Sequence, residues 1–255
     1  MKKDNKQLYE TFHKHSTQQK KIISENDYTY FFISKILKAI IGQRKQLQVL
    51  DFGCGVGTIA TYVASMGNTV YGIDISEKSI QIANENARTS AVADRCLFAI
   101  SASPAAFDAQ QKTFDLILCF EVIEHVPDDV QIVKSLAQRL STTGFLVVST
   151  RSSNSLLYKL GFLKKFDARV GHRRRYTDES LRNVLETAGL TVRKQYKVDS
   201  ILRDLLYSFP FFGFFIRGIR GPLVKLVAAL ENPLLSVFGN AGYIVVVTKH
   251  DKNFD

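Results

Sequence analysis

Cysteine is scarce in this sequence, which has three among 255 residues: Cys54, Cys96 and Cys119. The number is odd, no two have the C-x-x-C spacing, and each lies in or beside an apolar stretch typical of a strand. A disulfide framework is therefore not expected, and the pattern favours reduced thiols in the core. This in turn predicts a reducing compartment.

Long apolar runs are also missing. The first 25 residues lack the apolar segment of a signal peptide, so we expect a cytoplasmic protein. No run reaches the roughly 18 uninterrupted apolar residues of a membrane-spanning helix. Residues 201–240 come closest, and Pro210 interrupts them.

Negative charge is in deficit, with 24 Asp and Glu against 34 Lys and Arg, which leaves a net charge of +10. Such an excess favours an anionic partner, either nucleic acid or a phospholipid surface, although a generally basic soluble enzyme is the alternative. The chain is 45% hydrophobic and shows no internal repeat. We therefore expect residues 1–255 to form one domain with a buried α/β core.

The central motif is an apolar strand, residues 48–52, that continues directly into Gly53, Gly55 and Gly57. Glycines allow positive φ angles and let a ligand approach the backbone amides. A helix starting near residue 58 would direct its free N–H groups at the same place. These features predict a phosphate- or nucleoside-binding turn, although a tight turn without a ligand would also explain the glycines alone.

A second apolar strand ends at Asp74. In open α/β folds an acidic residue in this position receives the ribose hydroxyls of a nucleoside. Together the glycine turn and Asp74 predict a nucleoside site.

Apolar strands and amphipathic helices alternate along the chain, which predicts a parallel sheet covered by helices. We predict a helix capped by Asp27 and ending near Ile41, and a long connection over residues 151–176. The predicted strands are residues 48–52, 69–75, 96–100, 114–120, 144–150, 190–198 and 243–248.

Two stretches resemble motifs of the class I S-adenosylmethionine-dependent methyltransferases. Residues 50–57 are similar to motif I, and residues 114–126 are similar to the fourth-strand motif. The resemblance implies a Rossmann-like, three-layer αβα sandwich with a seven-stranded, mostly parallel sheet, interrupted by an apolar insertion at about 199–241. It implies S-adenosylmethionine as cofactor. The implied cofactor-binding residues are Asp51, Gly53, Gly55, Gly57, Asp74, Ile75, Ser101, Ala102 and Phe120.

Ser101 departs from the family pattern, which often has an acidic residue there to accept a hydrogen bond from the adenine amino group. A hydroxyl can accept the same bond, but it is neutral and the bond is weaker. Adenine recognition is thus less well supported than ribose recognition.

The catalytic candidate is His125, because a neutral imidazole can take a hydroxyl proton near pH 7. A histidine bound at a helix start is the structural alternative. The segment Glu121-x-x-Glu124-His125 also resembles that of ubiquinone-biosynthesis O-methyltransferases, where these positions are associated with a divalent metal. Glu121, Glu124 and His125 are therefore candidate metal ligands.

Two basic or apolar stretches remain. Residues 171–177 are similar to the H-x-R-x-Y-T segment of type-11-like methyltransferases, and their arginines are suited to phosphate or carboxylate unless they form a solvated loop. Residues 205–216 are rich in Phe and bounded by Arg203 and Arg217. This pattern suits a segment lying in a membrane interface, or alternatively a lid packed on the core.

The sequence therefore predicts an enzyme that methylates an oxygen of a small-molecule, lipid or lipid-linked acceptor, peripheral to the cytoplasmic face of a membrane. An RNA methyltransferase is an alternative, but we do not expect nucleic acid as partner, because no RNA-binding module is visible. A non-catalytic membrane-associated protein on the same fold is the other alternative.

Overall fold

The computed structural model of the chain describes residues 23–106, 113–208, 219 and 221–249. The strands are β1 Gln48–Phe52, β2 Thr69–Asp74, β3 Cys96–Ile100, β4 Phe114–Phe120, β5 Leu140–Arg151, β6 Leu190–Val198 and β7 Gly242–Lys249. The α-helices in the same ranges are α1 Phe31–Ile41, α2 Thr58–Ser65, α3 Glu77–Thr89, α4 Asp129–Arg139, α5 Leu156–Lys159, α6 Lys164–Val170, α7 Asp178–Thr187, α8 Ile201–Ser208 and α9 Pro222–Phe238.

The strands form one seven-stranded sheet in the order β3-β2-β1-β4-β5-β7-β6. The first five strands in this order run parallel, whereas β7 is antiparallel to both of its neighbours, β5 and β6. The carboxyl ends of β1, β2 and β4 therefore meet at one edge, where the glycine turn lies. The predicted fold class, a mostly parallel seven-stranded α/β sheet, is confirmed.

Side chains alternate across the sheet, so that both of its faces are buried. Leu50 and Phe52 of β1 belong to one apolar cluster with the residues of α4 and α7, while Val49 points into the other, with α1 and α2. Strand β4 alternates in the same way. This period of two, buried on both faces, is what a central parallel strand requires.

Short polar side chains fix where the helices begin. Ser76 accepts a hydrogen bond from the amide of Ser79, and Asp128 accepts one from Gln131. Thr177 and Ser180 form a reciprocal capping box at the start of α7. The predicted starts after Ser76 and Thr177 are confirmed.

The structure corrects two sequence predictions. Asp27 does not cap a long helix: its carboxylate accepts from the Ser24 amide, a short 3₁₀ turn follows, and α1 begins only at Phe31. Residues 151–176 are not a plain connection, because they contain α5 and α6. The three cysteines are buried and free, as predicted.

The helices α8 and α9 lie between β6 and β7, where the insertion was predicted. Among the described residues, no helix has the length and apolar content needed to cross a bilayer. The Phe-rich stretch at 209–216, on which the membrane interpretation depended, lies outside the described residues.

Candidate functional site

The glycine turn joins β1 to α2 and is held against β2. The amides of Gly53 and Cys54 both donate to the carbonyl of Ile73, at 2.7 and 2.9 Å. Gly53 has φ +78°, and a Cβ there would lie 2.4 Å from Val122 Cγ2. Gly55 has φ +53°, but a Cβ there would meet nothing within 4 Å. Gly53 is thus required by packing, while the space beside Gly55 is open to a ligand.

Asp74 stands at the end of β2 and is almost fully buried. One carboxylate oxygen accepts from the Gly55 amide at 2.9 Å, and the other accepts from the Ser76 amide at 2.8 Å. These two bonds fix the carboxylate against the turn. Each oxygen has a second lone pair that can accept a hydrogen bond from a ribose hydroxyl.

Asp51, the last acidic group of β1, is 3% exposed, and its Oδ2 has no hydrogen-bond partner among the described residues. Burial, reinforced by repulsion from Asp74, raises the pKa of Asp51 to about 7. A buried acceptor without a donor is costly. A ligand carrying a cationic N–H group would satisfy it and would favour the ionised carboxylate.

The residues predicted to surround an adenine continue from Asp74. The Ser101 amide donates to the Asp74 carbonyl at 2.9 Å, which places the end of β3 beside the end of β2. The Ser101 hydroxyl bonds within its own turn, to the amide and carbonyl of Ser103. Ala102 is exposed and Ile75 and Phe120 are half-buried, so these side chains border the edge and are not closed within the core.

Glu121 follows β4 in a strained backbone conformation, with φ +54° in a residue that is not glycine. Its carboxylate accepts from Ser149 Oγ at 3.0 Å and pairs with Arg151 Nε at 2.7 Å. Burial raises the pKa of Glu121, but Arg151, His172, the Ser149 hydrogen bond and His125 together outweigh it, so the net pKa is lowered. The carboxylate of Glu121 is therefore engaged in an ion pair with Arg151.

Glu124, His125 and His172 come together, each with a potential ligand atom within 4.8 Å of the others. Glu124 is fully buried, one oxygen accepts from Thr150 Oγ1 at 3.0 Å, and the other has no partner among the described residues. Burial, with repulsion by Glu121, raises the pKa of Glu124 well above its usual range. The predicted trio of Glu121, Glu124 and His125 is therefore not the group that the structure assembles, because His172 replaces Glu121.

The two imidazoles have defined orientations. His125 Nδ1 lies 3.2 Å from the Gly171 carbonyl, and His172 Nδ1 lies 2.7 Å from Asp167 Oδ1. Carbonyl and carboxylate oxygens only accept, so in each neutral ring Nδ1 carries the proton and Nε2 is the basic nitrogen. Burial, with a contribution from His172, lowers the pKa of His125 to about 4, so that this ring is neutral at pH 7.

The arginines after His172 hold the loop that carries His125. Arg173 donates from Nε to the His125 carbonyl, Arg174 pairs with Asp129 at 2.7 Å, and Arg175 pairs with Asp167 at 2.7 Å. These three arginines therefore form neither a solvated loop nor a set of phosphate-binding side chains. Arg173 and Arg174 fasten residues 171–176 to the segment that follows β4 and thereby position His125. Arg175 ties the same residues to α6.

A chain of ion pairs, missed by sequence reasoning, leads from this site to the insertion. Arg151 also pairs with Asp199 at 3.5 Å, Asp199 pairs with Arg203 at 3.1 Å, and Arg203 pairs with Glu231 at 3.3 Å. The sequence did contain a signal for Arg151, because a charged residue there ends an apolar strand. No local spacing connects positions 151, 203 and 231.

The fold and the site together define a class. A family described as "Methyltransferase domain" matches residues 25–195, more than half of the sequence. The chain belongs to this family, and the sequence-based resemblance to the methyltransferases is confirmed.

Among curated relatives, the ubiquinone biosynthesis O-methyltransferase of Leptothrix cholodnii is 32% identical over 127 residues, 50% of this chain and 54% of the relative. The chain spans about half the length of the curated relatives it matches. Among solved structures, magnesium protoporphyrin IX methyltransferase from Synechocystis with bound SAH covers 97% of this chain and 100% of its own, with a TM-score of 0.61 and 18% identity. A methyltransferase from Geobacter sulfurreducens in complex with S-adenosyl-L-homocysteine covers 96% and 98%, with a TM-score of 0.61 and 16% identity. These structures share the fold.

Proposed function

We propose that the protein transfers a methyl group from S-adenosylmethionine to an oxygen of a lipid or lipid-linked acceptor at the cytoplasmic face of a membrane. The observation that carries this proposal is the meeting of two groups at one sheet edge. The open glycine turn with Asp51 and Asp74 lies beside the buried Glu124 and His125, as in a cofactor pocket next to a proton acceptor.

The chemistry of S-adenosylmethionine fits the first group. Its amino-acid part carries an ammonium, which suits the Asp51 oxygen that lacks a partner in the described part of the chain, and its ribose diol suits Asp74. The open space beside Gly55 leaves room for the ligand to approach the backbone of the turn. The family of the chain and the relatives named above support the same cofactor. Ile75, Ser101, Ala102 and Phe120 would border the adenine.

When bound, this cofactor supplies an electrophilic methyl group on a positively charged sulfur. His125 would take the proton of the acceptor hydroxyl at Nε2 as the new O–CH₃ bond forms and the S–CH₃ bond breaks. The ring is neutral at pH 7 and can accept a proton, but a pKa of about 4 makes it a weaker base than an unperturbed imidazole. The Gly171 carbonyl holds the ring, and Arg173 holds the backbone carbonyl of His125. Methyl transfer needs little else from the protein than orientation of the two reactants, which supplies most of the rate.

A divalent metal is a second component that the residues fit. Glu124 offers an oxygen that has no partner within the described ranges. Both histidines have their Nδ1 protons bound by acceptors, the arrangement typical of metal-ligating histidines. Glu124, His125 and His172 would hold the ion, and Glu121 would remain paired with Arg151. Bound there, a metal would supply a positive charge that favours an ionised acceptor oxygen.

The alternative of an RNA methyltransferase loses support from the engagement of Arg173, Arg174 and Arg175 within the protein. The relatives named for ubiquinone biosynthesis favour an apolar acceptor. The net charge of +10 favours an anionic membrane surface over a neutral one.

The proposal is tested by titration calorimetry with S-adenosylmethionine and its demethylated product, followed by incubation with bacterial lipid extracts and mass spectrometry of the products. Binding of both nucleosides and a gain of one methyl group on a lipid hydroxyl would support it. Binding without any methylated product would favour the non-catalytic alternative. Methylation of RNA in a parallel incubation would show that the acceptor is RNA and not a lipid.

A further inference from the structure

Helix α9 buries Val224 and Ala228, as a surface helix does, but it also buries a carboxylate and exposes large apolar side chains. Its inner side contains Glu231, which is fully buried and accepts from the Tyr28 hydroxyl at 2.7 Å and from Arg203 Nε at 3.3 Å. Its outer side exposes Leu223 by 53%, Leu226 by 59% and Leu230 by 54%. A surface helix usually presents polar side chains at such exposed positions.

The exposed leucines form a continuous stripe. Positions 223, 226 and 230 are separated by three and four residues and therefore share one face, on which Val237 is 72% exposed two turns further on. Lys225, also exposed, borders the stripe and can extend its ammonium away from an apolar phase. The ion pair of Glu231 with Arg203 and the hydrogen bond from Tyr28 hold this face outward, so its exposure is a property of the folded protein.

We propose that the outer face of α9 is the surface by which the protein lies on an anionic bilayer, with the helix axis in the interface plane. This inference rests on the membrane location proposed above and adds the surface that makes the contact. The net charge of +10 provides the attraction, and the leucines provide the apolar insertion.

The size of the stripe favours a membrane over a second copy of the chain. At about 100 Å² for a fully exposed aliphatic side chain, the four half-exposed residues offer roughly 200–300 Å² of apolar surface. A stable dimer buries about 800 Å² on each partner. A peripheral helix assisted by charge needs far less.

The test is flotation of the full chain with vesicles of phosphatidylglycerol and phosphatidylcholine. We compare the intact protein with a triple variant, Leu223→Ser, Leu226→Ser and Leu230→Ser. The matched control is Leu97→Ser with Ile100→Ser, which removes similarly exposed apolar groups from β3 at the far edge of the sheet. We expect the triple variant to float about 10-fold less and the control to float like the intact protein.

Several results would overturn the inference. Equal flotation of the triple variant and the intact protein would show that another surface makes the contact. Failure of the intact protein to float at low salt would remove the membrane location as well. A dimer in sedimentation velocity that dissociates in the triple variant would assign the stripe to a second copy. Calorimetry with S-adenosylmethionine, carried out without vesicles, reports separately on the proposed methyl transfer.

Discussion

The glycine turn and the charged end of β4 lie at the same sheet edge, but different chemical groups hold them together. The turn uses backbone amides and two carboxylates, and its contacts join residues close in sequence or on neighbouring strands. The charged end uses buried ion pairs contributed by β5, α6, α8 and α9. We therefore expect changes in the turn to alter cofactor affinity, and changes in the charged end to alter stability and turnover.

The largest effect is expected from Glu231→Gln. Glu231 is the buried partner of Arg203 and Tyr28, so its neutral replacement leaves the guanidinium without full compensation. Loss of one partner of a buried ion pair costs about 3–5 kcal/mol. Urea unfolding measures the loss. A double variant, Glu231→Met with Arg203→Met, should recover part of it, and a loss as large as that of the single variant would refute the ion-pair explanation.

Gly55→Val should act on the cofactor and leave stability less changed. The side chain would fill the open space beside the turn, in a conformation with φ +53° that β-branched residues avoid. We expect an affinity for S-adenosylmethionine lower by about 10²-fold or more, equivalent to at least ~2.7 kcal/mol. Gly55→Ala separates the two causes, because it adds the φ strain with much less bulk. Unchanged affinity of the valine variant in calorimetry would show that the ligand does not occupy this space.

His125→Ala should lower turnover by about 10²-fold while cofactor affinity stays nearly constant, because the ring acts on the acceptor proton. A chelator distinguishes the metal-assisted variant of the mechanism. Activity lost to chelation and restored by a divalent ion would require His172 and Glu124 as well. Normal turnover in the alanine variant would mean that His125 has only a structural role.

Asp74→Ala should weaken binding of S-adenosylmethionine and of its demethylated product by about 1–3 kcal/mol, the cost of leaving hydroxyl groups without an acceptor. The same change releases the Gly55 amide, so part of the loss reflects a looser turn. Asp74→Asn keeps an acceptor for that amide and serves as the control. Full affinity in both variants would exclude Asp74 from the site.

The smallest effects concern pH, and the two regions should respond with opposite signs. The pKa of Asp51 is raised to about 7. Its favourable contribution to the free energy of unfolding is therefore present below pH ~4 and is lost as pH rises through 7. The pKa of His125 is lowered to about 4, so its contribution is present above pH ~6.5 and is lost as pH falls through 4. One pKa unit corresponds to about 1.4 kcal/mol, so each contribution is about 3–4 kcal/mol in full, but it is spread over about three pH units and changes by only about 1.4 kcal/mol per pH unit.

Urea unfolding at several pH values tests this pair of signs. Asp51→Asn should remove the decline in stability between pH 4 and 8, and His125→Asn should remove the decline on acidification below pH 6.5. If the two variants keep the slopes of the unaltered protein, neither group controls the pH dependence.

The sequence predicted the fold well because the fold signals are local. Strand ends at Phe52, Asp74 and Phe120 follow from apolar runs that stop at glycine or acidic residues. It predicted the composition of the turn for the same reason. It missed the pairing of Arg151 with Glu121 and the meeting of His172 with His125, because both depend on packing between distant segments. Glu231 gave no signal at all, since a charged residue in a helix is normally predicted to face water.

The position of β7 has a consequence for how the chain folds. This strand fills the gap between β5 and β6, and it follows them only after residues 199–241 have been made. Until then β6 has no partner, and β5 presents an open hydrogen-bonding edge to other chains. Pairing across such sequence distances is slow and leaves intermediates open to aggregation. We expect the nascent protein to depend on chaperones for longer than the early completion of β1 to β4 would require.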